Sequence, residues 1–216
     1  MHLIIGNKRY SSWSLRSWLI LTHFGLAFEE TLIPLDTPTT AADIRRFSPS
    51  GRVPCLIDGD VTVWETLAII EYLAECFPDL AIWPRDKAAR AHARAISSEM
   101  HAGFTGLRSA CPMNLRRTFA YRDRGEGAKA DVARITALWR DARARFGARG
   151  AFLFGDFSAA DAMYAPVVLR LTGYTWPLEP DIADYVAAMH DLPALKAWKE
   201  AASAEPWIVP SDEIDE

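Results

Sequence analysis

The stretch SPSGRVPCLIDGD, residues 48–60, decides the fold. A Val-Pro step enters the apolar run Cys55–Ile57, and Asp58-Gly59-Asp60 separates this run from a second one, Val61–Val63. Two short apolar runs joined by a Gly-containing turn predict an antiparallel hairpin. A proline at this position is unusual because it cannot donate to a sheet ladder and is confined to edges, strand starts and bulges.

The Val53-Pro54 bond has two interpretations. A trans bond at an exposed strand start is the commoner case, because cis bonds are a minority even before proline. A cis bond in a tight turn directs the backbone N–H and C=O of Val53 outwards, where an extended peptide can pair with them as an added strand. This segment alone leaves both open.

Outward from the hairpin, residues 1–80 alternate short apolar runs with amphipathic stretches, which predicts the order β-α-β-α-β-β-α. Strands linked through a helix are expected to be parallel. The predicted elements are a strand at Leu3–Ile5, a helix at Ser14–Phe24, a strand at Phe28–Ile33, a helix at Thr40–Phe47, strands at Cys55–Ile57 and Val61–Val63, and a helix at Glu65–Cys76.

Beyond a proline-containing stretch, only Ala-, Arg- and Leu-rich helical segments follow, so an all-helical domain at residues 88–216 is expected after residues 1–80 and a linker at residues 81–87. Ser158 precedes Asp161 by three residues, as in a capping box, with Phe157 available as a staple. Pro166 is expected to bend that helix. Breaks are predicted near Cys111-Pro112, Arg124-Gly125, Gly147–Gly150, Thr172–Pro180 and Leu192-Pro193.

Composition restricts the partners. A net charge of -4 argues against nucleic acid, which requires a basic surface. The longest apolar stretch, Ser17–Phe28, is too short for a membrane span and lacks the features of an export signal, so a cytoplasmic protein without a membrane partner is predicted. The cysteines Cys55, Cys76 and Cys111 and the five histidines show no ligand spacing, so no disulfide framework or metal site is predicted.

Charge is unevenly distributed along the chain. Residues 85–150 carry 15 basic and 6 acidic side chains, whereas residues 151–216 carry 3 basic and 12 acidic ones. Three interpretations are open: the arginine-rich segment packs against the acidic segment, its basic face receives an anion, or both are solvated helix faces.

Two polar stretches can carry chemistry. Glu65 and Thr66 open a predicted helix, where such residues commonly act as caps, but they can equally bind the ammonium and carboxylate of an α-amino acid group. The second polar stretch is RYSSWSLRSW, residues 9–18, which we call the serine segment. Ser14 is the expected cap of its helix. A nucleophilic serine needs a neighbouring base, and no histidine is near in sequence.

Taken together, these stretches resemble the glutathione S-transferase family over nearly the whole chain. The matching motifs are S-P-S-G-R-V-P-C-L at Ser48–Leu56, E-T at Glu65-Thr66 and S-A-A-D at Ser158–Asp161. The resemblance implies an α/β thioredoxin-like N-terminal domain and an all-helical C-terminal domain. It also implies a cis Val53-Pro54 bond, glutathione as co-substrate without a metal, a small electrophile as the second partner, and a homodimer.

The resemblance assigns roles by position. Val53 pairs its backbone with the cysteinyl unit of glutathione, and Glu65 and Thr66 hold the γ-glutamyl end. In serine-type classes the active hydroxyl lies five residues before an arginine of the first helix, which indicates Ser11, with Ser12 as the reserve. The implied glutathione contacts are Trp13, Arg52, Val53, Pro54, Glu65 and Thr66.

The chemistry implied is activation of a bound thiol. A thiol with a pKa of about 8.5 is only a few per cent ionised at neutral pH. Lowering that pKa by about two units requires about 2.7 kcal/mol, within reach of a hydroxyl donor and a helix N-terminus. The predicted function is a glutathione transferase acting on an apolar or peroxide electrophile, with glutathione peroxidase as a side activity.

In this family the electrophile site lies between the serine segment, the end of the fourth helix and the C-terminal tail. Arg116 or Arg117 is expected to bind an anionic group. Trp13 stands where double-serine, zeta-like members have Cys, and Trp18 where they have a second Arg. The candidate electrophile contacts are Met113, Asn114, Arg116, Arg117, Tyr121 and Trp207.

Two other functions are alternatives. The first is a non-catalytic, stress-associated module of the same fold, because fold does not guarantee function. The second is a glutaredoxin-like thiol oxidoreductase, which is disfavoured because the serine segment holds no cysteine to form a mixed disulfide. Cys55, directly after Pro54, is at best an auxiliary thiol in that scheme.

Overall fold

The computed structural model describes residues 1–148 and 150–214. A four-stranded sheet with three helices forms the first part of the chain, and helices dominate the rest. Arg149, within the break predicted at Gly147–Gly150, and residues 215–216, at the end of the predicted second domain, lie outside the described residues.

The first part has the predicted β-α-β-α-β-β-α order. Its strands align as β2-β1-β3-β4, and the β3–β4 hairpin is antiparallel as predicted. The α/β first domain is thus confirmed. The elements are β1 (His2–Ile5), α1 (Ser12–His23), β2 (Glu29–Leu32), α2 (Thr40–Arg45), β3 (Cys55–Asp58), β4 (Val61–Trp64) and α3 (Thr66–Cys76).

The prediction that helix-linked strands are parallel is wrong for one pair. β1 and β2, joined by α1, are parallel. β2 and β3, joined by α2, run in opposite directions, because β1 lies between them and is antiparallel to β3. The connection between β2 and β3, residues 33–54, therefore ends with β3 starting at the end of the sheet where β2 finishes.

The second part is helical, and the predicted breaks fall at helix ends. The sequence pattern does not show the break at Gly103-Phe104, where Phe104 has φ +58°. Residues 111–125 form one irregular connection rather than a short break, and an isolated bridge joins Phe152 to Gly155. The helices are α4 (Lys87–Ala102), α5 (Thr105–Ala110), α6 (Glu126–Phe146), α7 (Ala159–Gly173), α8 (Pro180–Asp191) and α9 (Pro193–Ser203), followed by a 3-10 turn at Pro210–Asp212.

Helix α7 forms the centre of the helical part. Every residue from Ala159 to Leu171 is buried, and α7 packs against both α1 and α4. The side chain of Arg16 on α1 donates from Nε to the carbonyl of Met163 at 2.9 Å. Pro166 lies inside α7, and the bend expected there stays a prediction. These contacts seat the serine segment against the helical core.

The start of α7 confirms the predicted capping box. The Asp161 carboxylate accepts the backbone N–H of Ser158 at 2.9 Å and that of Leu153 at 3.0 Å. The Tyr185 hydroxyl donates to the same carboxylate at 3.1 Å. Burial raises the pKa of Asp161 to about 6, against the opposing effect of these hydrogen bonds. Phe157 is buried beside this cap, where its ring contacts other aromatic side chains.

Some arginines of the middle segment pair with acids of the final segment, as in the first interpretation of the charge pattern, while others, such as Arg134 with Glu99, pair within the middle segment. Arg140 on α6 makes a two-point contact with Asp181 on α8, at 2.6 and 3.1 Å. Arg116 reaches Glu213 at 3.0 Å. Among the described helices, none has both the length and the apolar character that a membrane crossing needs.

Candidate active site

A cleft of about 330 Å³ lies where the serine segment, the start of β3, the start of α3 and the end of α4 meet. It brings together all six residues that the resemblance assigned to glutathione, although they come from three separate stretches of sequence. Its lining residues are Trp13, Ser50, Arg52, Val53, Pro54, Glu65, Thr66, His101 and Arg108.

One wall of this cleft is the Val53-Pro54 edge. The bond is cis, as the resemblance implies, and the trans alternative is wrong. Within the described part of the chain, neither the backbone N–H nor the C=O of Val53 has a hydrogen-bond partner. An unpaired N–H and C=O on one half-buried residue can pair with an extended peptide.

The start of α3 forms a second wall. Glu65 is the residue before the helix and has φ +69°, a strained conformation for a residue other than glycine. Its carboxylate makes no capping hydrogen bond and lies 3.7 Å from Nε2 of His101. The Thr66 hydroxyl donates to the carbonyl of Trp13 at 3.2 Å. The capping interpretation is therefore wrong, and the uncapped carboxylate lines the cleft beside His101.

Sequence reasoning missed three residues of the cleft, Ser50, His101 and Arg108. The ring of His101, at the end of α4, meets the ring of Trp13 edge to face at 5.1 Å. The guanidinium of Arg108, on α5, lies over the same indole at 5.0 Å from its centroid. The only sequence signal for His101 and Arg108 is that they flank the Gly103 break, which the helical pattern conceals.

Arg16 is a fully buried cation behind the cleft. Its guanidinium lies 4.2 Å from the Trp13 ring centroid and donates to the carbonyl of Ser12 at 2.9 Å. Burial lowers the pKa of Arg16 well below its usual range, and Arg170 and Arg108 lower it further. Within residues 1–148 and 150–214, the hydrogen bonds of the Arg16 guanidinium go to backbone carbonyls, and no carboxylate pairs with it. This uncompensated positive charge favours an anion in the cleft.

The serine hydroxyls are arranged differently from the prediction. Helix α1 begins at Ser12, so Ser11 is the residue before the helix and Ser14 lies inside it. Ser14 is not the cap: its hydroxyl oxygen accepts the Gly6 backbone N–H at 3.1 Å and the Ser11 hydroxyl at 2.7 Å. Ser11 is nearly buried and its hydroxyl makes no capping bond to the helix.

A second cavity of about 260 Å³ adjoins the first, and Arg108 lines both. Its buried Arg170 donates from Nε to the Cys111 carbonyl at 2.8 Å. Burial lowers the pKa of Arg170 to about 10, and the charge of Arg108 contributes. Hydroxyls and guanidinium groups dominate the wall, so this cavity is polar. Its lining residues are Tyr10, Ser12, Thr105, Arg108, Ser109, Pro112, Met113, Arg170 and Asp212.

Of the six candidate electrophile contacts, Met113 alone lines the second cavity. Asn114 donates to the backbone carbonyl of Asp212 at 3.2 Å. Arg116 and Arg117 lie 3.0 and 3.8 Å from the carboxylate of Glu213. These side chains therefore hold the tail against the cavity wall and do not face its interior.

The two aromatic candidates are on the surface. Tyr121 is 46% exposed and Trp207 is 37% exposed. The ring of Tyr121 meets Trp176 edge to face, outside both cavities. Trp18, the other tryptophan of the serine segment, is buried and donates from Nε1 to Glu30 at 2.7 Å. Trp13 is thus the tryptophan of that segment that reaches the cleft.

Cys55 is a buried thiol at the start of β3. It donates weakly to the Phe47 carbonyl at 3.7 Å, and burial raises its pKa. A reactive thiol needs a lowered pKa and exposure, so this environment disfavours the redox alternative. Among residues 1–148 and 150–214, no group of His, Cys, Asp and Glu side chains is arranged to hold a metal ion.

The sheet, the cis-proline cleft and the appended helices define a protein with a thioredoxin-like domain and an all-helical domain. Family models for the glutathione S-transferase N-terminal and C-terminal domains match residues 10–76 and 119–201. The chain belongs to the glutathione S-transferase family. Its similarity to the relatives described next indicates a zeta-like member of that family.

Two curated relatives indicate its place in the family. A probable maleylacetoacetate isomerase from Caenorhabditis elegans is 30% identical, over 78% of this chain and 78% of that protein. Glutathione S-transferase GstB of Escherichia coli strain K12 is 27% identical, over 72% of this chain and 76% of that protein. These relatives support a glutathione-dependent enzyme in general.

Solved structures have the same fold. A glutathione transferase homolog from Burkholderia GL BGR1 with bound glutathione has a TM-score of 0.71 at 23% identity and covers 93% of this chain and 97% of its own. A maleyl pyruvate isomerase, described as a bacterial glutathione S-transferase in the Zeta class, has a TM-score of 0.67 at 24% identity and covers 95% and 99%.

Proposed function

We propose that the protein binds glutathione in the first cavity and activates its thiol for attack on an electrophile held in the second. The observation that carries the proposal is the unpaired backbone of Val53, at a cis-proline edge, in the same cleft as the uncapped carboxylate of Glu65. A tripeptide with a free α-amino acid end matches both features.

Each part of the tripeptide has a counterpart in the cleft. Val53 pairs with the backbone of the cysteinyl unit, as an added strand does. Glu65 takes the γ-glutamyl ammonium, and Thr66 with the uncapped N-terminus of α3 takes its carboxylate. Arg52, exposed at the mouth of the cleft, is placed to meet the glycyl carboxylate, and Trp13 closes the floor.

The thiol then lies near the N-terminus of α1, where Ser11 or Ser12 donates to the sulfur. The helix N-terminus and the buried charge of Arg16 stabilise the thiolate over the thiol. The thiol proton leaves to solvent, and the sulfur electron pair forms a bond to the electrophilic atom of the co-substrate. At the same time the bond from that atom to a leaving group breaks and the group departs with the electron pair, or, in an addition, the electron pair of a conjugated double bond moves to the adjacent carbonyl oxygen. We place the attack where the two cavities share Arg108.

The lining of the second cavity favours a polar, acidic electrophile over the apolar or peroxide electrophile expected from the sequence. Half-buried Arg108 and buried Arg170 both line this cavity, together with one carboxylate, that of Asp212, and the two guanidinium groups outnumber it and attract carboxylates. Isomerisation of an acidic substrate is a second candidate function, favoured by the 30% identity to a probable maleylacetoacetate isomerase. A glutathione-binding module without turnover is the remaining alternative.

The domain division belongs to the same proposal: residues 1–80 bind glutathione, residues 81–87 link, and residues 88–216 contribute the electrophile site. Helix α3 ends at Cys76 and α4 begins at Lys87, so the division falls in a non-helical connection. The resemblance further implies that two copies associate as a homodimer.

The glutathione site is tested with Glu65→Gln. Loss of the carboxylate charge opposite an ammonium group removes a charge-assisted hydrogen bond of about 1.5–3 kcal/mol, so we expect the glutathione Kd to rise about tenfold or more. Isothermal titration measures it. Glu75→Gln is the matched control, because Glu75 lies on the same helix and is exposed. Equal affinities for the two variants would remove the γ-glutamyl assignment.

The acidic co-substrate is tested with Arg108→Met. We expect kcat/KM to fall about tenfold more for carboxylate-bearing electrophiles than for uncharged ones, because only the former lose a charge-assisted contact. Comparing the two substrate classes cancels any effect on thiol activation. Arg116→Ala is the control, since Arg116 faces Glu213. A loss that is the same for both classes would contradict an anion site in the second cavity.

A further inference from the structure

The turn just ahead of Ser11 is held by residues from the far end of the chain. The carboxylate of Glu205 accepts the backbone N–H of Lys8 at 2.7 Å and that of Arg9 at 3.1 Å. Lys8 and Glu205 are 197 positions apart in sequence. No motif or periodicity in the sequence indicates this contact.

Three further hydrogen bonds tie the same two residues to helix α9 and its end. Trp198 donates from Nε1 to the carbonyl of Lys8 at 2.9 Å. Arg9 donates from Nε to the carbonyl of Ala202 at 2.7 Å and from its guanidinium to that of Ser203 at 2.8 Å. We call Trp198, Ala202, Ser203 and Glu205 the α9 clasp.

Glu205 is the member of the clasp with the most unusual environment. It is 7% exposed, and burial raises its pKa, opposed by the two N–H donors and the charges of Lys8 and Arg9. The Lys8 ammonium is directed elsewhere, since it pairs with Glu30 beside the Trp18 ring. Glu205 therefore binds the backbone N–H groups of the turn and not the ammonium group of Lys8. Such hydrogen bonds are directional, so they fix the position of the turn.

The held residues lie in the turn that leads into Ser11. The carbonyl of Asn7 accepts the backbone N–H of Tyr10 at 3.2 Å and that of Ser11 at 2.8 Å, so Lys8 and Arg9 form the middle of the turn. A displacement of this turn moves the Ser11 hydroxyl and the start of α1 together. Hydrogen bonding to a thiolate depends on placement within about half an ångström.

We propose that Glu205 is a positioning residue for thiol activation, which it serves by fixing the turn at residues 7–11 through the Lys8 and Arg9 N–H groups. The inference rests on the proposed glutathione function. Glu205 touches neither cavity, so it acts through Ser11 and the start of α1.

The test is Glu205→Gln. An amide oxygen replaces one acceptor, and the amide NH₂ faces a backbone N–H, so the turn loses one of its two bonds to this side chain. We expect the pKa of the bound glutathione thiol to rise, kcat/KM at neutral pH to fall about tenfold and the rising, acidic limb of its pH profile to move to higher pH, with the glutathione Kd unchanged within about twofold. Glu200→Gln, an exposed change on α9, is the control.

A second variant, Trp198→Phe, keeps an aromatic ring in the core, removes the indole donor to Lys8 and places a smaller ring against Trp18. It is expected to shift the thiol pKa in the same direction by less. Hydrogen exchange of the Lys8 and Arg9 amides measures how firmly the α9 clasp holds the turn, and it needs no substrate. We expect this exchange to be faster in Glu205→Gln than in the wild type, in parallel with the shift of the pH profile.

The outcomes separate the two proposals. If amide exchange accelerates in Glu205→Gln while the thiol pKa and pH profile match the wild type, the positioning role is overturned and the glutathione function stands. If the wild type forms no bound thiolate, the glutathione function fails and the positioning role falls with it. If Glu205→Gln does not fold, as judged by circular dichroism, the Trp198→Phe profile decides the matter alone.

Discussion

Replacing Ser11 by alanine is expected to lower kcat/KM by about 10²-fold and to raise the pKa of the bound glutathione thiol by about one to two units. One hydroxyl donor to a thiolate is a charge-assisted hydrogen bond of about 1.5–3 kcal/mol, which sets both magnitudes. The glutathione Kd is expected to stay nearly constant, because Val53 and Glu65 hold the tripeptide without this hydroxyl.

The structure explains why Ser11 can change partner. Its hydroxyl donates to Ser14 at 2.7 Å, and the Ser14 oxygen also accepts the Gly6 N–H at 3.1 Å. When Ser11 rotates towards a thiolate, the Ser14 oxygen keeps the Gly6 donor, so no acceptor is left without a partner. Ser11 also stands at the positive end of α1 with no capping bond to lose.

Ser12→Ala is the matched control for Ser11→Ala. Ser12 is the next residue and lines the second cavity, so its loss is expected to change the co-substrate KM and to leave the thiol pKa within a few tenths of a unit. Thiolate absorbance during a glutathione titration and the pH profile of kcat/KM measure the two effects. If Ser12→Ala raises the thiol pKa and Ser11→Ala does not, the hydroxyl donor is Ser12.

The sequence alone predicts correctly those elements whose structure is determined by residues close together in the chain. The β3–β4 hairpin follows from two apolar runs around Gly59, and the α7 cap follows from the three-residue spacing of Ser158 and Asp161. The cis state of Val53-Pro54 is a different case, because local preference favours trans. There the spacing of distant motifs, through a family resemblance, supplied the right answer.

The rest depends on contacts between distant parts of the chain. His101 enters the cleft because α4 ends beside Trp13, and a helical pattern carries no information about that meeting. Arg116 and Arg117 turn to Glu213 because residues 111–125 form an irregular connection that the tail crosses. The start of α1 shows that a small error in a predicted helix boundary has large consequences. Because the helix starts at Ser12 and not at Ser14, the hydrogen-bond partners of the nearby hydroxyl groups differ from those expected.

Asp161→Ala is expected to lower the free energy of unfolding by about 3 kcal/mol or more at neutral pH. The carboxylate is completely buried and accepts the N–H groups of Leu153 and Ser158 and the hydroxyl of Tyr185. Alanine leaves these buried donors without their acceptor, at about 1–3 kcal/mol each before relaxation. Denaturant unfolding measures the loss, and Asp184→Ala, at an exposed position on α8, is the control.

The pH dependence of that loss distinguishes the buried carboxylate from a simple packing defect. Burial raises the pKa of Asp161 to about 6 in the folded protein, above the roughly 3.9 of an unfolded chain. Between these values the folded state binds more protons, so this residue's contribution is complete below about pH 4 and falls as the pH rises to about 6. The alanine variant lacks this contribution. The stability difference between wild type and Asp161→Ala should therefore narrow from pH 4 to pH 7, and a difference that stays constant or widens would show that folding does not raise the pKa of Asp161.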